Sequence, residues 1–174
     1  MYTFQHADAK GIEAAVFPES ILGNNVTGKG ATMMESLPPG LKFTFQYTVP
    51  EDKTVPCLMP EAEEMQVMPK VLATGFMVGV VEWSCIRAVN PHLDWPREQT
   101  VGTGVYLTHT APTPPGLTMT VHGTLESVEG RKLTFSIEAD DGVDHICSGS
   151  HERFVINAES FTRKTEEKRR RALS

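Results

Sequence analysis

The chain has 174 residues, of which 40% are apolar and 22% charged, and its formal net charge is -6. That length suits one domain with a single substantial core, and the composition excludes a disordered chain. A membrane helix is excluded too, since the best apolar run, residues 71–89, is broken by Glu82 and Arg87 before it reaches the ~20 residues needed.

The first residues, MYTFQHADAKGIEAAVF, have neither the basic start nor the apolar core of a secretory signal. Cys57, Cys85 and Cys147 are odd in number, far apart and without metal-ligand spacing, so they read as reduced thiols of a cytoplasmic protein. Charge is unevenly spread: RKTEEKRRRALS at the end holds six Lys or Arg against two Glu, a net +4 that leaves -10 on the rest. The acidic body argues against nucleic acid as a partner. The basic tail, residues 165–174, reads as a solvated, frayed terminus.

Residues 1–40 read as an N-terminal extension, packed on the domain or partly disordered, with a short helix around 9–16 and a Gly/Asn/Thr-rich run after it. From Leu41 the pattern becomes regular. LKFTFQYTV alternates as a strand does, with Phe43, Phe45 and Tyr47 on one face. A Pro- and Met-rich connection follows, with a short helix at 61–67. The run VLATGFMVGVVEWSCIRAV, residues 71–89, then predicts a helix that begins around Thr74-Gly75 and runs to about Val89, ended by Asn90-Pro91.

Four strands are predicted next. They are TVGTGVYLTHT, LTMTVHGTLESV (Leu117, Met119, Val121 and Leu125 on one face), RKLTFSIEAD (Leu133, Phe135, Ile137 and Ala139 on one face) and VDHICSGSHERFVI. VEGRK and DDGVD are Gly-containing hairpin turns between them. A helix apolar nearly all round cannot lie on a surface. A curved antiparallel sheet wrapped around it, with a second copy covering any leftover face, is the hot-dog architecture; a helix packed on a flat sheet fits the pattern equally well.

Glu82 is the sharpest chemical signal, because a carboxylate in a buried helix must be paired, hydrogen-bonded or held protonated. Arg87 and Lys70 are the partners near in sequence. Thr74 stands where it could cap the helix. The free N–H groups of the first turn, around Gly75, also suit a developing oxyanion. His109 ends a strand, and its competitors are His122 on a polar face, and His145 and His151 on one face of the last strand with Arg153. Cys85 reads as a core thiol. If Thr74 and Glu82 both lie in one straight helix, they are ~12 Å and about 80° apart and cannot touch. They then share a substrate only if Thr74 lies in the turn before the helix or a dimer brings in the other copy.

Four segments in order resemble the fluoroacetyl-CoA thioesterase-like hot-dog family: ATGFMVGVVEWSCIRA, VGTGVYLTHTAPTPPGLTMTV, SVEGRKLTFSIEADDGVD and SGSHERFVI. The resemblance covers about 41–164, leaving 1–40 outside. It implies an α+β hot-dog domain, one long central helix within an antiparallel sheet, working as a homodimer. It also implies hydrolysis of a short-chain acyl-CoA to carboxylate and free CoA, with no metal and no cofactor beyond the CoA of the substrate. By motif position the family's catalytic residues fall on Thr74, Glu82 and His109, and its acyl-pocket residues on Gly102 and Arg153; Gly75 would bind substrate through its N–H. A nearby carboxylate would tune His109. The chain departs from the family before ATGF: MPEAEEMQVMPKVL is Met-rich and lacks the family's aromatic lid, which favours a broader or different acyl preference. A binding module that holds acyl-CoA without hydrolysing it is the next reading. An enoyl-CoA hydratase ranks below it, since no Asp is followed by His at that group's short spacing.

Overall fold

The computed structural model describes residues 37–174, so the helix expected around 9–16 lies outside the described residues. Strand β1 (Lys42–Thr48) is followed by a 3-10 turn (Glu51–Lys53) and two one-turn helices, α1 (Val55–Leu58) and α2 (Glu63–Gln66). The long helix α3 (Thr74–Val89) comes next, then β2 (Glu98–Leu107), β3 (Thr118–Glu129), β4 (Lys132–Asp140), β5 (His145–Asn157) and a last helix α4 (Ala158–Leu173). All strand pairs are antiparallel, and the sheet order is β1-β3-β4-β5-β2.

The period-two faces pack as the sequence predicts. Met119, Val121 and Leu125 of β3 and Leu133, Phe135, Ile137 and Ala139 of β4 are buried. They form one core with Met77, Val80, Val81, Cys85 and Val89 of α3. Those helix positions recur every three or four residues, which puts them on one face. The opposite row, Gly75, Gly79, Trp83 and Arg87, is exposed, so the helix is not apolar-buried all round. Trp83 rests edge-on against Phe45, with ring centroids 4.9 Å apart, and against Tyr47.

Gly123 makes the first sheet edge possible. It pairs with Phe43 across β1 and β3, and a Cβ there would overlap the Phe43 ring. The bare backbone lets Phe43 lie over the sheet and meet Phe135 edge to face at 6.1 Å. The two predicted turns hold Gly130 (φ 59°) and Gly142 (φ 82°), a left-handed conformation that L side chains resist.

Two expectations change. The long helix begins at Thr74 itself, with Ala73 rather than Thr74 as its N-cap, because Val71 to Ala73 are taken up elsewhere: Leu72 bridges Thr54, and the Ala73 N–H donates to Lys53 O (3.2 Å). The basic terminus is helical rather than frayed. Asn157 caps α4 by accepting from the Ser160 N–H (2.9 Å). Glu159–Arg163, Glu166–Arg170 and Glu167–Arg171 recur at the four-residue spacing that supports an exposed helix. Among the described residues no helix is long and apolar enough to cross a membrane.

Phe135 is fully buried at the centre of this core. Phe135→Ala is expected to lower unfolding free energy by about 3–5 kcal/mol. Urea denaturation measures this, and a loss under about 1 kcal/mol would contradict the packing described.

Candidate active site

The sequence-predicted residues fall into two groups, one at the start of α3 and one halfway along it. At the start, Ala73 is the N-cap, with no side-chain capping bond, and Thr74 is the first helical residue. Its hydroxyl is therefore free of the capping role expected for it. It meets His109 Nδ1 instead, at 2.9 Å. The first-turn N–H groups, including that of Gly75, have no intrahelical acceptor and point toward this end. Gly75 fits tightly beneath Leu58 of α1, since a Cβ there would stand 3.1 Å from Leu58 Cδ1.

Backbone bonds from three directions hold this end together. Thr108 N–H donates to Ser148 O (2.9 Å) and Thr110 N–H to Ile146 O (2.8 Å), carrying the β2–β5 pairing past the strand end and fixing His109 between them. Leu72 N–H donates to Thr113 O (2.8 Å), tying the chain ahead of α3 to the loop after His109. Thr113, buried, donates its hydroxyl to Asp141 Oδ2 (3.2 Å). Thr74 and His109 line a pocket of about 250 Å³ with Val55, Val71, Leu72 and Pro112. His109 Nε2 is buried with no hydrogen-bond partner among the described residues. A buried imidazole nitrogen left unmatched is costly unless something else meets it.

The second group surrounds Glu82. Its partner is neither Arg87 nor Lys70 but Arg153 of β5, whose Nη1 lies 3.5 Å from Glu82 Oε1. Arg153 is 2% exposed, so its charge is deeply buried. It donates Nε–H to Thr100 Oγ1 (2.9 Å), Nη2–H to Thr100 O (2.8 Å) and Nη1–H to His151 Nε2 (2.9 Å). Burial pulls its pKa down and the Glu82 carboxylate pushes it back up, but a guanidinium stays charged throughout. Gly102 faces Arg153 across the β2–β5 pairing, and a Cβ on Gly102 would overlap Glu82 Oε1. Glycine is thus required for the carboxylate to lie where it does.

Thr74 and Glu82 are the first and ninth residues of α3, so they stand ~12 Å apart along the axis. The possibility that Thr74 precedes the helix is removed. Within one chain the ring partner of His109 is the Thr74 hydroxyl; the histidine near Glu82 is His151, at 3.9 Å. The expectation of a carboxylate tuning His109 is not met among the described residues of a single chain.

His145 and His151 do not share a face. The β4–β5 register shifts where Ala139 faces Cys147 but Asp140 faces His145. This irregularity turns His145 outward, toward Glu138 at 3.5 Å, while His151 stays buried. His122 is also on the outer face, near Asp140 at 3.3 Å. Cys85 is buried, and burial raises its pKa to about 12, so it is no nucleophile at neutral pH. Sequence reasoning missed Thr100 and the acceptor role of His151. The signals were there: Thr100 and Gly102 share a strand face, as do His151 and Arg153.

Residues 56–159 match the model of the fluoroacetyl-CoA-specific thioesterase family. The fluoroacetyl-CoA thioesterase of Streptantibioticus cattleyicolor is 51% identical over 136 residues, covering 78% of this chain and 97% of that protein. A phenylalanine-to-alanine variant of a fluoroacetyl-CoA-specific thioesterase, solved with fluoroacetate and CoA, superposes with a TM-score of 0.70 at 53% identity, over 72% of this chain and 99% of that one. A hot-dog-like protein from Thermanaerovibrio acidaminovorans shares the fold at 20% identity and a TM-score of 0.65, over 77% of this chain and 94% of that one. The wrapped-helix alternative is therefore the right one, and the chain is a hot-dog protein of the fluoroacetyl-CoA-specific thioesterase family.

Proposed function

We propose that this chain is an acyl-CoA thioesterase that hydrolyses a short-chain acyl-CoA to carboxylate and free CoA, acting as a homodimer without metal or organic cofactor. The observation that carries the reading is the Thr74 hydroxyl against His109 Nδ1 at the start of α3, beside a pocket and with His109 Nε2 left open. The 51% identity to a fluoroacetyl-CoA thioesterase supports the same substrate class.

The chemistry follows from what a thioester needs. Its carbonyl oxygen gains charge on attack, and the first-turn N–H groups around Gly75 supply donors and the positive end of the helix dipole. Glu82 takes a proton from water as the water attacks the carbonyl carbon, or attacks that carbon itself to give a transient anhydride that water then opens. Collapse breaks the C–S bond as His109 gives a ring proton to the departing sulfur, and His109 recovers a proton from Glu82 or, on the anhydride path, from the water that opens the anhydride. Thr74 orients the water or the histidine. Gly102 and Arg153 flank the acyl group next to Glu82.

Glu82 lies halfway along α3 and His109 beside its first turn, ~12 Å apart along the axis, so one site needs the helix start of one chain and the helix middle of another. A two-fold dimer provides this, with Thr74 and His109 of one protomer facing Glu82 of its partner.

Thr74→Ala, Glu82→Gln and His109→Ala are each expected to lower kcat by about tenfold or more while the protein stays folded. Thiol release from a panel of acyl-CoAs checks this. Near-normal turnover of Glu82→Gln would refute the assignment, and wild-type protein that binds the panel yet releases no CoA would be a carrier or sensor. Co-refolding Thr74→Ala with Glu82→Gln subunits should return about one quarter of wild-type activity, because half the dimers carry one intact shared site. Sites confined to one chain would return none. Gly102→Ala should displace Glu82 and cut kcat by about tenfold or more, with the fold intact by circular dichroism; unchanged kcat would remove Glu82's position from the mechanism.

A further inference from the structure

His151 is buried, yet both its ring nitrogens are engaged. Nδ1 lies 2.8 Å from Gly104 O and Nε2 lies 2.9 Å from Arg153 Nη1. A carbonyl only accepts and a guanidinium only donates. The ring must therefore carry its hydrogen on Nδ1 and a lone pair on Nε2, the neutral form. Burial, which holds the His151 pKa below its ordinary value, favours the same form, although the Gly104 bond pulls the other way. The 3.9 Å approach of Nε2 to Glu82 Oε1 is then two acceptors side by side, not an ion pair. Both turn to the same donor, Arg153 Nη1, which has two hydrogens to give.

The rest of the guanidinium is committed elsewhere, with Nε and Nη2 both bound to Thr100. Nη1 reaches toward α3, and His151 Nε2 adds a third acceptor that, with the two bonds to Thr100, fixes the rigid guanidinium plane. We infer that His151 is a positioning residue for the reacting carboxylate: by accepting one Nη1–H of Arg153 it holds, with Thr100, the guanidinium so that the other Nη1–H faces Glu82, keeping the carboxylate in the gap left by Gly102. This rests on the reading of Glu82 as the reacting group. A histidine that merely filled the core would need no particular tautomer, and its role would not distinguish which ring nitrogen a replacement mimics.

Two measurements on the full-length protein test it. Long-range proton–nitrogen correlation spectra of ¹⁵N-histidine-labelled wild type at neutral pH should show the His151 ring with Nδ1 protonated and Nε2 bare; a protonated Nε2 overturns the inference. In kinetics, His151→Gln places an amide oxygen near the Nε2 position, whereas His151→Asn reaches only the Nδ1 position. The Asn variant should lose about tenfold in kcat with KM within about twofold, and Gln should restore kcat to within about threefold of wild type. The Asn penalty should shrink to about twofold or less when Glu82→Gln is already present, because the effect runs through that carboxylate. Equal losses for Gln and Asn, or an undiminished Asn penalty beside Glu82→Gln, overturn it. The wild-type spectrum decides the acceptor role even where the Asn variant misfolds. Failure of the wild type to release any thiol would strike the thioesterase reading, leaving the spectrum to judge the histidine.

Discussion

A guanidinium taken out of water needs a counter-charge and acceptors for its donors, and Arg153 imposes that demand at the middle of the molecule. Thr100 meets it from β2 with both hydroxyl and carbonyl, His151 from β5 with a lone pair, and Glu82 from α3 with a charge. The carboxylate in the apolar helix is thus the complement of an arginine in an apolar strand. Gly102 follows from the same constraint, since any side chain there would occupy the space of the Glu82 carboxylate. Glu82 is itself 39% exposed, so the pair is dry on the arginine side and open to water on the other. That asymmetry suits a carboxylate that must be anchored and still reach a substrate.

The helix keeps two chemistries apart. Its first turn offers N–H donors, a hydroxyl and an imidazole, all suited to a carbonyl gaining negative charge. Its middle holds an anion bound to a cation. Placing the carboxylate beside the first turn would let it occupy the donors meant for the oxyanion. Eight residues of helix prevent this within a chain, and in the proposed dimer the two meet only across the substrate.

Much of the fold was legible because its strands alternate cleanly and its turns carry glycine. What escaped was long-range or irregular. The sequence makes Thr74 a natural cap, yet it is the first helical residue and Ala73 the cap, because Val71, Leu72 and Ala73 are held extended by bonds to Val55, Thr54 and Lys53. The shift at Ala139/Asp140 separates the faces of His145 and His151, and nothing in HICSGSHER announces it. Glu82 was matched with charges near in sequence, whereas its partner lies 71 residues away. The motif positions of Thr74, Glu82, His109, Gly102 and Arg153 came from family resemblance. Their division into two clusters comes from the eight-residue separation of Thr74 and Glu82 on one helix, a geometric problem visible in the helical period and resolved by the start at Thr74.

The methionine-rich segment before α3 takes on a different meaning once the pocket wall is known. The wall beside Thr74 and His109 is Val55, Val71, Leu72, Ala111 and Pro112, short or rigid side chains with little freedom. Met59 and Met68 are each 48% exposed, and neither lines that pocket. An apolar wall distinguishes acyl groups by methylene content, worth about 1–3 kcal/mol each, whereas buried polar groups reject a ligand that leaves them unpaired far more strongly. On the proposed reading, the Arg153–Glu82–Gly102 corner therefore decides which acyl group is turned over, and the apolar wall decides only how much apolar bulk is tolerated. Exchange of an aromatic lid for methionine would broaden the second property without erasing the first.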